Sequence, residues 1–171
     1  SGGGTQTAAI VGGGGATPGN TAATERYDGS SWTEVNDLNT ARRSHTMGGG
    51  YTSALAVAGY TSENTDAVES WNGSSWTEIT EVNTARRQLA MATAGDNTSA
   101  IAIAGYTDSY LGIVENYNGS SWTEVGDLNT ARAVVGSTDQ SSTAALAIAG
   151  YRGPPTSDRT TFVEEWNGSS W

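Results

Sequence analysis

Residues Asp28-Gly29-Ser30-Ser31-Trp32 return as Asn72-Gly73-Ser74-Ser75-Trp76, Asn118-Gly119-Ser120-Ser121-Trp122 and Asn167-Gly168-Ser169-Ser170-Trp171. The four tryptophans are separated by 44, 46 and 49 residues. Other residues keep step with them. A glutamate stands seven positions before each tryptophan (Glu25, Glu69, Glu115, Glu164), and an arginine ten positions after the first three (Arg42, Arg86, Arg132). A small apolar run ends Val57-Ala58-Gly59-Tyr60, Ile103-Ala104-Gly105-Tyr106 and Ile148-Ala149-Gly150-Tyr151, with Ala8–Gly14 as a first, looser copy. A fixed period of this length means one supersecondary unit repeated and stacked on its neighbours.

Each unit reads as four short strands. The first follows the arginine, over 44–47 or 89–93. The second is the Ala54-Leu55-Ala56-Val57 type, whose bulky residues alternate with alanine. Both of its faces are therefore apolar and one is unusually small, which suits an inner strand held between neighbouring sheets. The third strand is Ala67–Trp71 and the fourth Trp76–Ile79, and the Asn72-Gly73 pair between them signals a tight hairpin. No segment carries a sustained 3.6-residue apolar period with caps, so the class is all-β. Four such units give a propeller of four four-stranded antiparallel blades, over about 1–40, 41–84, 85–130 and 131–171.

The pattern resembles kelch repeats in Gly12-Gly13, Glu25-Arg26-Tyr27-Asp28 and Trp32, with Ala-Gly replacing Gly-Gly in later copies and Trp71 and Trp166 in the tyrosine place. The resemblance covers the whole chain. It implies a β-propeller that binds protein partners on one rim. The Asn/Asp-Gly-Ser-Ser-Trp-Thr-Glu wording is also similar to long repeat proteins of phage virions, which bears on setting rather than fold. Gly2-Gly3-Gly4 aligns with Gly48-Gly49-Gly50, so the chain is expected to start inside a first strand and to stop at Trp171, where a fourth would begin. Such a start reads as a piece of something longer. Four blades fit a small closed ring, an open part of a larger ring, or half of a dimeric ring. An open arc exposes an apolar blade face, so a partner is expected there: a second copy, or further repeats of a longer array.

Composition narrows the chemistry. The chain holds 171 residues, no cysteine and no lysine, and a net charge of −10. A zinc–thiolate site and a cysteine nucleophile are excluded. The charge disfavours nucleic-acid phosphates or an anionic membrane surface as the main partner. No apolar run approaches the ~20 residues of a membrane-spanning helix. His45 is the only histidine, so a general base, a triad or a histidine-bearing metal site would rest on it alone. The run Gly12–Gly15 lacks the Gly-Lys-Ser/Thr ending of a phosphate loop, and reads as a strand end. Glu63, Asp66, Asp96, Asp108, Asp139 and Asp158 do not follow the spacing of a calcium loop, and read as solvated. The Asn-Gly-Ser triplets at 72, 118 and 167, and Asn97-Thr98-Ser99, match the N-glycosylation acceptor, but the first three coincide with the turns the fold needs. The Glu and Arg sets, present in several copies, read as a fold element with arginine bonding carboxylates or strand carbonyls. The expectation is a non-enzymatic protein with no cofactor and no metal.

In repeat folds function sits where copies differ. From the glycine of strand two to the glutamate of strand three the four distances are 12, 10, 10 and 14 residues. The loop between those strands carries Tyr60, Asp66, Tyr106, Tyr110, Tyr151, Arg152 and Pro154-Pro155. Strand alternation puts it on the same rim as the connectors holding Arg43 and Arg87. A ligand-binding set of Tyr60, Asp66, Tyr106, Tyr110, Tyr151, Arg152, Arg43 and Arg87 is expected there, since tyrosine and arginine are the residue types of interaction hot spots. The expected function is a structural, adhesive or protein-binding module, in a virion or extracellular setting, contacting protein subunits or a host-surface protein or glycan. The alternative is a stand-alone propeller that binds one protein or glycan in a cell.

Overall fold

The computed structural model describes residues 1–138, 141–153 and 158–171, and its regular elements are all strands. Four antiparallel sheets follow one another along the chain. The first holds β1 (Gly2–Thr5), β2 (Ala8–Ala16), β3 (Gly19–Tyr27) and β4 (Trp32–Val35). The second holds β5 (Thr46–Gly50), β6 (Ser53–Tyr60), β7 (Asn64–Trp71) and β8 (Trp76–Ile79). The third holds β9 (Ala90–Thr93), β10 (Ala100–Tyr106), β11 (Tyr110–Tyr117) and β12 (Trp122–Glu124). The fourth holds β13 (Gly136–Ser137), β14 (Ala145–Ile148) and β15 (Val163–Trp166). Each sheet is a meander whose strands pair in chain order, the arrangement of propeller blades. The fourth differs from the expected four strands: among the described residues it has three.

The turn between the third and fourth strands is not the two-residue hairpin that Asn-Gly announces. Only the glycine has positive φ, +96° at Gly73. The Asn72 side-chain Oδ1 accepts hydrogen bonds from the Ser74 and Ser75 N–H groups at 2.9 and 3.0 Å, and Asn72 N–H donates to the Ser75 carbonyl. The turn therefore spans four residues, organised by an Asx side chain. Asp28 makes the same contacts in the first sheet, and the N–H groups of Ser31 and then of Ser30, with the Ser30 hydroxyl, hold its carboxyl down to about 2.

The alternation in the second strand sorts the sheets' two faces. Leu55, Val57, Val68 and Ile79 of the second sheet pack on Ala100, Ala102, Tyr117 and Trp122 of the third. Ile101, Ile103, Val114 and Val125 of the third pack in the same way on Ala145, Ala147 and Trp166 of the fourth. Ile10 and Val35 of the first meet Ala54, Ala56, Trp71 and Trp76 of the second. The second and third sheets thus each press a large-residue face onto an alanine-and-tryptophan face, and the first does so with Ile10 and Val35 while Gly12 and Thr24 take the places of Val57 and Val68. The strand register also refines two alignments. Gly2 pairs with Val11 as Met47 does with Ala56, so Gly3-Gly4, not Gly2-Gly3-Gly4, match Gly48-Gly49. The bulge after Gly12 makes Gly14, not Gly13, the counterpart of Gly59. Both offsets fall in runs of glycine, where no side chain marks the register, and the bulge itself recurs at the same place in β2, β6 and β10.

The innermost strands β1, β5, β9 and β13 pack in succession, whereas β13 has no comparable packing on β1. Backbone bonds link successive sheets. Gly14, Gly59 and Gly105 N–H donate to the carbonyls of Arg42, Arg86 and Arg132, and Gln88 N–H donates to Ser44 and Val134 N–H to Gln88. Among the described residues no hydrogen bond joins the fourth sheet to the first, and Trp32 and Val163 on their outer faces are exposed, so the described sheets form an open arc.

The recurrent Glu and Arg residues close each step of this arc. Glu69 is 1 % exposed and Arg42 fully buried, 3.0 Å apart. Arg86 pairs with Glu115 and Arg132 with Glu164 in the same way. Each carboxylate also takes bonds from the connector that arrives from the preceding sheet: Asn39 N–H and Nδ2 at 2.6 and 2.8 Å, and Thr40 N–H at 3.2 Å, for Glu69. Asn83 serves Glu115 and Asn129 serves Glu164 through the same two groups. Glu25 is exposed and has no such partner among the described residues. One motif position therefore has two energetic values. Glu115→Ala, which strands a buried guanidinium, is expected to cost about 3–5 kcal/mol in denaturant unfolding, and Glu25→Ala no more than ~0.5 kcal/mol.

Candidate functional site

The connector entering each sheet meets the second strand in a two-bond antiparallel bridge. Arg43 N–H donates to the Tyr60 carbonyl at 3.0 Å and Tyr60 N–H to Arg43 at 2.8 Å, and Arg87 and Tyr106 exchange the same pair of bonds. Tyr151 bridges Ala133, so the fourth copy lacks the arginine. Because the segments between strands two and three continue as strand pairs, Tyr60 ends β6 opposite Asn64 and Tyr106 ends β10 opposite Tyr110. The expected variable loops are thus short β-hairpins in the second and third sheets.

These bridges set arginine and tyrosine side by side along one rim. The Arg43 and Arg87 guanidinium carbons lie 4.7 and 5.0 Å from the Tyr60 ring centroid, and Arg87 is 4.8 Å from that of Tyr106. Tyr106 meets Tyr110 edge-on at 5.1 Å, and Tyr110 meets Tyr151 at 5.4 Å. The result is a continuous strip, Arg43–Tyr60–Arg87–Tyr106–Tyr110–Tyr151. Cation–π contacts of this kind contribute about 0.5–1 kcal/mol each at exposed positions. Asparagines fix the guanidinium planes: Arg43 Nη1 donates to Asn20 Oδ1 at 2.9 Å and Arg87 Nη1 to Asn64 Oδ1 at 2.6 Å. Neither guanidinium has a carboxylate within ion-pair distance among the described residues, unlike Arg42, Arg86 and Arg132.

Among the described residues three clefts open along this strip, one of them, of about 350 Å³, at its end between Val134, Ala149, Gly150, Tyr151, Arg159 and Thr160, and the other two adjoining. The first of the adjoining pair, of about 590 Å³, lies between Arg43, Tyr60, Glu63, Asn64, Arg87, Gln88 and Asp108, with Ser44 and Ser62. The second, of about 510 Å³, lies between Tyr106, Asp108, Ser109, Tyr110, Ala131 and Arg152. Asp108 borders both. Arg152 reaches toward Asp158 at 3.9 Å and lies over Phe162 at 5.2 Å. Asp66 stands apart: it is inside β7, where its carbonyl accepts the Val82 N–H at 3.1 Å, and it borders none of the three clefts. Asp139 and Pro154-Pro155 lie outside the described residues. The sequence reading missed Asn20 and Asn64, which orient the two arginines, and Glu63 and Gln88 as cleft walls. Asn20 and Asn64 occupy the equivalent place in the hairpins of the first two sheets, and that equivalence was the available signal.

His45 sits away from this strip, 5 % exposed, beneath the bulges of β2 and β6. A Cβ on Gly13 would come within 2.7 Å of its ring, and one on Gly59 within 2.7 Å of its own Cβ. Burial first, then the positive charges of the Ser1 ammonium and Arg42, push the imidazole down to about 3, and the nearby Gly12 carbonyl offsets part of this without forming a hydrogen bond. The ring is a neutral packing group at neutral pH. Among the described residues no group of three or more His, Cys, Asp or Glu side chains could hold a metal ion.

Neither a protein-family model nor a curated protein matches the chain.

The buried imidazole has a pH consequence. Its folded-state pKa lies below the ordinary 6.5, so the unfolded chain takes up the proton first. Stability is then full above about pH 6.5 and declines as pH falls toward 3. Thermal unfolding followed by circular dichroism between pH 7 and 5, above the carboxylate range, should show a falling midpoint, and His45→Gln should flatten that slope.

Proposed function

We propose that this chain is a kelch-type propeller segment that serves as a non-enzymatic adhesive module, and that its arginine–tyrosine rim takes a polar, chain-like ligand, best matched by a glycan strand. One observation carries the reading: two adjoining clefts share Asp108 and run along the rim, walled by hydrogen-bonding side chains and interleaved with tyrosines. A polymer of hydroxyl-bearing units suits such a groove. The steps at Arg43 and Arg87 each offer a guanidinium, an amide and a tyrosine ring. Among the described residues Arg43 and Arg87 have no carboxylate partner, which also suits an acidic sugar. The kelch assignment rests on the recurrent Gly-Gly or Ala-Gly strand end, the Glu-x-Tyr/Trp strand and the following Trp. A virion or other outward-facing surface is the setting that such an adhesive segment fits, and its protein contacts would be with neighbouring subunits.

The opposite rim, built of the near-identical Asn-Gly-Ser-Ser turns, spends its side chains on its own backbone. It supplies the internal control. On an oligosaccharide array the protein should retain a subset of polar or acidic glycans, and incubation should return them intact. For a retained oligosaccharide titrated in solution, Arg87→Ala should weaken binding about thirtyfold, equivalent to ~2 kcal/mol, while Ser120→Ala on the far rim leaves it unchanged. Equal affinities for the two variants would contradict the assignment of the rim.

A further inference from the structure

The two outer faces of the arc are uncovered, and they are the two halves of the interface that the chain already makes three times inside itself. On the fourth sheet, Val163 is 58 % exposed and Leu146 and Ile148 are partly exposed. Their register counterparts in the second and third sheets, Val68 and Val114, Leu55 and Ile101, Val57 and Ile103, are all fully buried by the next sheet. On the first sheet, Trp32 is 49 % exposed, with Ala9, Val11 and Tyr27 partly exposed. Their counterparts Trp76 and Trp122 are 5 % and 6 % exposed beneath the preceding sheet. The tryptophan is already preset: Tyr27 and Trp32 stack at 5.2 Å, as Trp71 and Trp76 do at 5.3 Å.

We infer that two copies of this chain associate head to tail, the large-residue face of the fourth sheet in one copy (Leu146, Ile148, Val163) docking on the face of the first sheet that carries Ala9, Tyr27 and Trp32 in the other, with Val11 in the place of the second alanine. The occupant follows from the internal interfaces. Wherever the large-residue face is covered in this structure, it is covered by that alanine, Tyr/Trp and Trp combination. A self-pairing of either face would oppose large with large or small with small, and would leave voids or overlaps that close packing penalises. The contact is heterologous, so each copy keeps one face of each kind available, and assembly closes into a ring or runs on as a filament according to its rotation. Among the described residues Glu25, on the docking face of the first sheet, has no partner for its carboxylate, whereas Glu69, Glu115 and Glu164 are latched by connectors.

The test uses the whole chain and two charge substitutions at exposed positions, Trp32→Asp and Val163→Asp, whose folding is checked by circular dichroism. Light scattering across 1–200 µM should give a mass of twice 17.6 kDa or more for the unaltered chain, and 17.6 kDa for each variant alone. An equimolar mixture of the two variants should regain a 1:1 dimer, because one keeps its large-residue face and the other its tryptophan face. A monomer throughout for the unaltered chain would overturn the inference, as would variants that stay assembled on their own or a mixture that stays monomeric.

Discussion

Three latched carboxylates, two buried and one partly exposed, hold the repeats in order. Glu69, Glu115 and Glu164 each bind an arginine and an asparagine of the connector that has just crossed from the preceding sheet. A buried ion pair is a poor source of net stability when its remaining lone pairs are empty. Here they are filled. Glu69 takes two backbone N–H groups, an amide and a guanidinium, so the desolvation cost is met by several charge-assisted bonds. For Glu164, burial alone would raise the carboxyl, and the bonds from Arg132 and Asn129 outweigh it and hold it below the usual range. The arginines respond in the opposite sense, since burial lowers Arg42 and Arg86 and their glutamates offset it.

With the connector fixed, the rest of each interface follows. The latch sets where Leu38, Val82 and Leu128 enter the interface, and these fill the space beside Trp76, Trp122 and Trp166. It also sets the residue after each arginine. Arg43 and Arg87 come directly after latched Arg42 and Arg86, so their side chains leave the interior for the rim. The arginine–tyrosine strip is thus a by-product of the packing device: one arginine of each Arg-Arg pair turns inward to a carboxylate, and the other turns outward beside a tyrosine. The fourth copy shows the dependence, because Ala133 replaces the outward arginine and the cationic series stops.

Much of this was legible from residue spacing. The period, the four strands of a unit, the two apolar faces of strand two and the role of the Glu and Arg sets all follow from elementary alternation and charge arguments. Seven of the eight residues placed on one rim do lie along it, and Asp66 does not, because β7 starts at Asn64 and carries position 66 into the strand. The asparagine of the latch was missed although Asn-Thr-Ala-Arg recurs unchanged at 39–42, 83–86 and 129–132. Half of its contribution is a backbone N–H, which every residue except proline owns and no sequence pattern marks. The turn type was misjudged for a related reason. Asn-Gly fits a two-residue hairpin, but the following Ser-Ser offers further N–H groups to the asparagine side chain, and those bonds select the longer turn. The glycine offsets arise because a run of glycines carries no side chain by which spacing could fix the register.

The latch is most directly tested by native-state hydrogen exchange at the Asn39 and Asn83 backbone amides, which donate to Glu69 and Glu115. Both lie in connectors outside regular strands, where amides ordinarily exchange through local opening. The account predicts that they exchange only with global unfolding, at the free energy of the core strands β6 and β10. Exchange at the rate of an exposed turn amide such as Gly29 would contradict it, and would mean that hydrophobic packing alone sets the order of the sheets.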